Sequence, residues 1–541
     1  MPIKPPRRPV VSSATGRPSG SREGDAPRGD RGGDRGDQRG ASRSGPGSAQ
    51  AGQGRGYDRA PGPRSDRPAP SRSPVRPEDR PRSTAPVLAA DRPMALYMSC
   101  ASGVESLLAQ EVDRILGGKG QVVESRGGVE IQPPAQLRQP AERHAAMAYF
   151  AMRLNLESRL AQRVLWRVAS RVYRNEDDIY HLGRSVNWSD WITPNHTLRV
   201  DVTSRRSHLQ SLNFAALRVK DAVCDDLRER TGERPNVDTR YPDLSLVLYM
   251  DDMEATLYVD TSGEALFKRG WREDTGEAPL KETLAAAMLA AAGWQGRPED
   301  GALLDPCCGA GTIPIEAAQI ACGIAPGLQR RFAFEKLLPF RSHLGEWQAL
   351  KQAARERQRP PQVAIYAGDV SFRMTDFATR NAERAGVKQY IEFKTADALQ
   401  RPVPCERGVL MFNPPYGERI DTKGSVRNAY RARSESELGD DMPASNVRAG
   451  REQFQDDEAA TFFQRLSSHW KKQYTGWNAW ILSPDMKLPS AMRLKESRRV
   501  VMFNGPIECR LFRFDLVAGG NRRPGASSTD TPAEPGPTDA S

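Results

Sequence analysis

Apolar positions along the chain follow two different rhythms, and the change comes near residue 266. The first opens at "MALYMSCASGVESLLAQEVDRILGG". Its leading apolar run predicts a short strand and Ser102-Gly103 a turn. Val104, Leu107, Leu108, Val112 and Ile115 then recur at helical spacing until Gly117-Gly118 stops the helix. "VVESRGGVEIQ" alternates as a hairpin does. "LRVDVTS", "AALRVKDAVCDDLRER" and "LSLVLYMDDMEATLYVD" continue strands and helices in mixed order to about residue 265, which predicts an α+β region.

The second rhythm starts at "RGWREDTGEAPLKETLAAAMLAAAGW". Helices of small and apolar residues now alternate with short β-rich runs: "ALLDPCCG", "AIYAGDV", "YIEFKTAD", "GVLMFNPP", "GWNAWILS" and "RLFRFDLV". This cadence predicts an open α/β sheet wound on both sides. Two interruptions stand out. Residues 421–457 are polar and aperiodic and predict a mobile insertion beside the strand ends. Residues 519–541 predict a disordered tail, one with no room for a further domain.

Composition adds a third segment. Residues 1–93 are Gly, Pro, Ser, Arg and Asp with almost no aliphatic side chains, too little apolar surface to offset the entropy of ordering, so disorder is expected there. The tail holds 19 Lys or Arg against 10 acidic residues, so about +9 of the chain's formal +11 lies in it. That balance fits a basic tether for a polyanion such as RNA, with a solvated linker as the alternative. The resulting division is 1–93 tail, 94–265 α+β, 266–518 α/β with the 421–457 insertion, and 519–541 tail. The start "MPIKPPRRPV" lacks the apolar segment of a secretion signal, and no run is long enough to span a membrane, so a cytoplasmic protein is expected. Seven scattered cysteines lack paired metal-ligand spacing, which predicts free thiols and no metal.

The chemistry gathers at strand ends. "LLDPCCGAGTIPIEAA" runs a buried strand into Asp305, turns through Gly309 and Gly311 and opens a helix, a turn in which backbone can approach a ligand closely. Its spacing is not that of a dinucleotide fingerprint, and there is no Gly-Lys-Ser/Thr for a triphosphate. Asp369 ends the second strand, where an acid can hold two ribose hydroxyls. Asp397 follows the third. Asn413-Pro414-Pro415-Tyr416 ends the fourth, its two prolines removing two backbone donors and stiffening the loop. Any one of these could be a helix cap. Four in order at consecutive strand tips ask for one common explanation.

These stretches resemble the class I S-adenosylmethionine-dependent methyltransferases that act on amino groups. "LYMSCASGVESLLAQEV", "RPNVDTRYPDLSLVLYM", "NPPYGERI" and "KKQYTGWNAWILS" extend the resemblance to the THUMP-domain enzymes that methylate the guanine 2-amino group in large-subunit ribosomal RNA. The resemblance spans about 94–517 and implies a Rossmann-like methyltransferase domain after a ferredoxin-like and THUMP region. It also implies S-adenosylmethionine as cofactor. Asp305, Gly309 and Gly311 would shape the methionine end of its pocket, Asp369 would take the ribose and Asp397 the adenine. Lys281, Glu282 and Thr283 are further lining candidates unless they simply begin a helix. The Asn413 side chain and the Pro414 carbonyl would accept hydrogen bonds from the target amine, and Tyr416 would stack on the base.

The implied partner is ribosomal RNA, naked or in an assembling large subunit. Arg205, Arg206, Arg218 and Lys220, on or before a helix, are candidates for its phosphates, with a solvated helix face as the alternative. Trp188 and Trp191 are expected in the core. Two other functions stay open at this point: a non-catalytic RNA-binding or assembly factor, and methylation of another amino group such as adenine N6, which the same tetrapeptide serves.

Overall fold

Strand β1 (Ala95–Ser99) is the hub of the first region, because its neighbours on both sides come from elsewhere in the chain. Helix α1 (Glu105–Leu116) follows it, then the hairpin β2 (Gln121–Ser125) and β3 (Gly128–Gln132), helix α2 (Pro140–Glu157) and the long β4 (Arg163–Val172). Helix α3 (Glu176–Arg184), β5 (Thr197–Ser204), α4 (Leu212–Thr231), β6 (Asn236–Val237), β7 (Leu244–Met250) and β8 (Glu254–Asp260) complete the region. The computed structural model describes residues 94–276, 279–414 and 456–517. The expected tails and most of the 421–457 insertion lie outside these residues.

β1 pairs antiparallel with β3 on one side and β4 on the other, and β4 pairs with β8, so one sheet of order β2-β3-β1-β4-β8-β7-β5-β6 runs through the whole α+β region. Alternation places Leu96 and Met98 in the core. Trp188 and Trp191 are buried, as expected, and the Trp188 indole N–H donates to the Gly183 carbonyl at 2.8 Å.

The second region begins with α5 (Glu282–Ala292), a helix so rich in Ala and Leu that nine of its eleven residues are buried. Then come β9 (Ala302–Asp305), α6 (Thr312–Ala321), α7 (Leu344–Glu356), β10 (Ile365–Asp369), α8 (Phe372–Arg384), β11 (Ile391–Thr395) and β12 (Gly408–Phe412). After the gap follow α9 (Asp456–Gln473), β13 (Asn478–Ser483), α10 (Leu488–Met492), β14 (Arg498–Asn504) and β15 (Ile507–Asp515). Their order is β11-β10-β9-β12-β13-β15-β14. The first five run parallel to one another, and β15 is antiparallel to both of its neighbours, β13 and β14. All six strands expected in this region are present. β14 is an addition.

The two regions are bound together by buried charge. Glu316 on α6 accepts the Arg269 Nε at 3.1 Å and meets Arg159 Nη1 at 3.3 Å. Far from there, the β1–α1 turn rests on β14: a Cβ added at Gly103 would collide with the carbonyl oxygen of Val501.

Candidate functional site

Because β9, β10, β11 and β12 are parallel and adjacent, their carboxyl ends open on one edge of the sheet, the place where folds of this kind bind ligands. Asp305 is the last residue of β9 and Asp369 the last of β10. Asp397 stands just beyond β11. Leu410 of β12 pairs with Leu304, so Asn413, three residues on, stands past the strand end beside Asp305's strand. Asn413 is half-buried and Pro414 buried, whereas Pro415 and Tyr416 lie outside the described residues.

The glycine turn is strapped to this edge. Asp305 accepts the Cys307 N–H at 3.1 Å. Asp369 spreads its two oxygens over the Gly309 N–H at 3.0 Å and the Ser371 N–H at 2.9 Å. The Cys308 N–H donates to the Gly368 carbonyl at 2.7 Å. The two glycines have different reasons to be glycine. At Gly311, φ is 88° and a Cβ would come within 2.9 Å of the Ala378 Cβ, so α8 packs directly on the backbone. At Gly309, φ is 52° and a Cβ would meet nothing within 4 Å, so the bare backbone faces open space. Asp397 forms a local turn, accepting the Leu399 N–H at 2.9 Å and Gln400 Nε2 at 3.1 Å.

Burial sets the electrostatics. It pushes Asp305 well above the usual carboxylate range, with Asp369 adding to the effect and the Cys307 N–H and Arg401 opposing it. Asp369 is raised by burial too, against the N–H groups of Ser371 and Gly309. Burial and these acids hold the Cys307 and Cys308 thiols protonated, unsuited to nucleophilic or metal chemistry. Among the described residues no group of His, Cys, Asp and Glu is placed to hold a metal ion.

Several neighbours were invisible to sequence reasoning. Arg401 is buried, and its Nη1 donates to the Ala367 carbonyl on β10 at 3.0 Å. It fits only because residue 368 is glycine, where a Cβ would lie 2.5 Å from that nitrogen. Asn381, fully buried on α8, donates to the carbonyls of Asp274 at 2.8 Å and Ala310 at 3.1 Å and so ties the 273–276 segment to the glycine turn. Val370 and Phe372 flank the Asp369 tip with 75% of each side chain's residue surface exposed, an apolar lip that a planar ring would cover. A large apolar residue directly after an acid-ended strand was the available signal. Glu282 and Thr283 do begin α5, with Lys281 at its N-cap, and the Glu282 carboxylate is taken up by Arg272 Nε at 2.7 Å.

The RNA candidates divide. Arg205 and Arg206 are exposed. Arg218 meets Asp177 at 2.8 Å and lies over the Tyr180 ring, and Lys220 meets Asp221 at 2.7 Å, so both charges are answered within the chain.

The strand order with its antiparallel β15, together with the site edge, defines a class I methyltransferase fold. Comparison with known families agrees: residues 269–438 match the methyltransferase domain described as UPF0020, RMKL-like, and residues 173–260 match the THUMP domain. The chain therefore joins a THUMP domain to an RMKL-like methyltransferase domain. It is 34% identical over 445 residues to the ribosomal RNA large subunit methyltransferase K/L of Shewanella baltica (strain OS185), a match covering 81% of this chain and 54% of that protein. The chain thus spans about half the length of the curated relatives it matches. Among solved structures, a "possible methylase" from Clostridium difficile 630 superposes with a TM-score of 0.62 at 26% identity, covering 79% of this chain and 99% of the other. SMU.472, described as a methyltransferase and solved with SAH, shares the fold at a TM-score of 0.63 and 23% identity, covering 78% and 98%.

Proposed function

We propose that the protein transfers a methyl group from S-adenosylmethionine to the 2-amino group of a guanine in large-subunit ribosomal RNA. The observation that carries the reading is the gathering of Asp305, Asp369, Asp397 and Asn413 on the carboxyl ends of four neighbouring parallel strands. The likeness to the K/L enzyme, whose name gives large-subunit ribosomal RNA as its substrate, supports the substrate class, and the THUMP domain supports RNA. A ribosomal substrate goes with a cytoplasmic location. Among the described residues no helix is long and apolar enough to cross a membrane.

The pocket suits the cofactor. Gly309 offers bare backbone to a close-lying group, Asp369 retains acceptor capacity for ribose hydroxyls, and Val370 and Phe372 offer an apolar lip to the adenine beside Asp397. When bound, the cofactor supplies a methyl group activated by its sulfonium. The protein's own task is then alignment. A guanine amine is a poor nucleophile because its lone pair is delocalised into the ring. The side-chain oxygen of Asn413 and the carbonyl of Pro414 accept hydrogen bonds from its two N–H groups, direct the nitrogen toward the methyl carbon and support the positive charge that develops there until a proton leaves to solvent. Diproline stiffness keeps both acceptors in place. Tyr416 stacks on the base, which must leave its helix or come from a loop.

The test is incubation with radiolabelled S-adenosylmethionine and ribosomal RNA, free or in immature large subunits, from cells lacking the protein, with the product nucleoside identified by mass spectrometry. N2-methylguanosine is the expected product. N6-methyladenosine would transfer the reading to adenine, and RNA binding without incorporation would leave an assembly factor.

A further inference from the structure

A groove of 590 Å³ runs along α9, between Leu399 and Arg493 at the end of α10, and every charged side chain lining it is cationic: Arg465, Lys471, Lys472 and Arg493, with His469 beside them. A basic helix end is often no more than a complement to the helix dipole. That accounts for Lys471, which donates to the Arg493 carbonyl at 2.9 Å, and it applies in part to Lys472 in the same last turn of α9. It does not account for Arg465, nor for the gathering of these cations on one groove. Arg465 sits in the middle of α9, and Arg465, Lys472 and Arg493 are all exposed, with no ion pair among the described residues. The contrast with Arg218 and Lys220, each paired with an aspartate, is plain.

Arg493 carries a second signal. It closes α10 in the left-handed conformation at φ 48°, where glycine is the economical residue and an arginine is held at a cost of about 1 kcal/mol. The groove is also joined to the candidate site. Leu399, on its wall, donates its N–H to Asp397, and His469 reaches the carbonyl of Arg401, whose guanidinium braces β10 below Asp369.

Resting on the proposed RNA substrate, we infer that this groove binds the phosphodiester backbone of that RNA, with Arg465, Lys472 and Arg493 as the phosphate contacts, and so orients the strand that delivers the target base. Phosphate contacts of this kind fix register and release counterions, which makes them visible in the salt dependence of binding.

The experiment measures RNA affinity by fluorescence anisotropy across a salt series for the full chain and for a variant combining Arg465→Gln, Lys472→Gln and Arg493→Gly. The glycine suits the local conformation, so thermal unfolding should stay at the wild-type temperature or above it, and cofactor binding by calorimetry should be unchanged. The expected result is at least a tenfold loss of affinity at moderate salt and a slope of log affinity against log salt shallower by about two. A charge-preserving variant, Arg465→Lys with Lys472→Arg, should restore most of the slope. If the wild type binds RNA and the neutralised variant shows the same slope, the groove assignment fails while the methyltransferase reading stands. If the wild type binds no RNA, both fail.

Discussion

Arg269 places its Nε 3.1 Å from one carboxylate oxygen of Glu316, and neither side chain has more than 2% of its surface exposed. The other oxygen meets Arg159, whose own carbonyl accepts Arg269 Nη2 at 2.7 Å. Removing the acid strands two cations in a buried setting. Glu316→Ala should therefore lower unfolding free energy by roughly 3–5 kcal/mol, read from denaturant titration. Glu316→Asp, which keeps the charge but shortens the reach, should lose less.

Gly309 and Gly311 should separate binding from folding. Gly311→Ala forces a Cβ against Ala378 in a left-handed backbone and should cost about 2 kcal/mol or more of stability. Gly309→Ala meets no atom, so its cost should stay near 1 kcal/mol. Calorimetry should nonetheless show its cofactor affinity falling by more than that of any surface control.

Asp305 yields a prediction of opposite sign for stability and for binding. Burial raises its pKa above the value in the unfolded chain, so the folded state holds its proton more tightly and stability falls as pH rises through the raised value. Asp305→Asn keeps an acceptor for the Cys307 N–H while removing the buried charge. Its unfolding free energy should exceed wild type at neutral pH, by about 1.4 kcal/mol for each pKa unit relieved, and the gap should close on acidification. Cofactor affinity should drop in the same variant.

Asp369 should set the acid limit of cofactor binding. In the proposed pocket its ionised form would accept two hydroxyls, and burial has raised its pKa, so affinity should decline with falling pH earlier than for an ordinary aspartate. Calorimetry from pH 8 downward checks this. A decline confined to the region below the ordinary aspartate range would refute it.

Asn413→Ala should reduce kcat by about 10²–10³ with cofactor affinity unchanged, since the acceptor acts on the amine as charge develops. Single-turnover methylation at saturating RNA measures it. Near-normal turnover would remove Asn413 from the chemistry.

Much of the second region was legible because the four runs that form the site edge stop at or just before an acid or an asparagine, a local pattern that needs no tertiary knowledge. β14 was not, because "RRVVMFN" is an edge strand with exposed Arg498 and Arg499 at its start, and its partner β15 supplies the order its own pattern lacks. Arg401 could not be singled out either: a buried arginine and a surface one read alike until the glycine that makes room for it is seen across the sheet. The pairing of β1 with β4 and of β4 with β8, which makes one sheet of the first region, depends on partners remote in the chain. The division of the basic residues into paired and unpaired sets depends on where the acids fall in space.

The contact of Gly103 with Val501 joins nearly the first described turn to nearly the last strand pair. During synthesis the turn that opens α1 therefore lacks its β14 contact until almost all of the described chain has left the ribosome. Loop closure over that span makes assembly slow relative to the local helices, and a nascent chain stalled before β14 would expose an unfinished surface to chaperones and proteases.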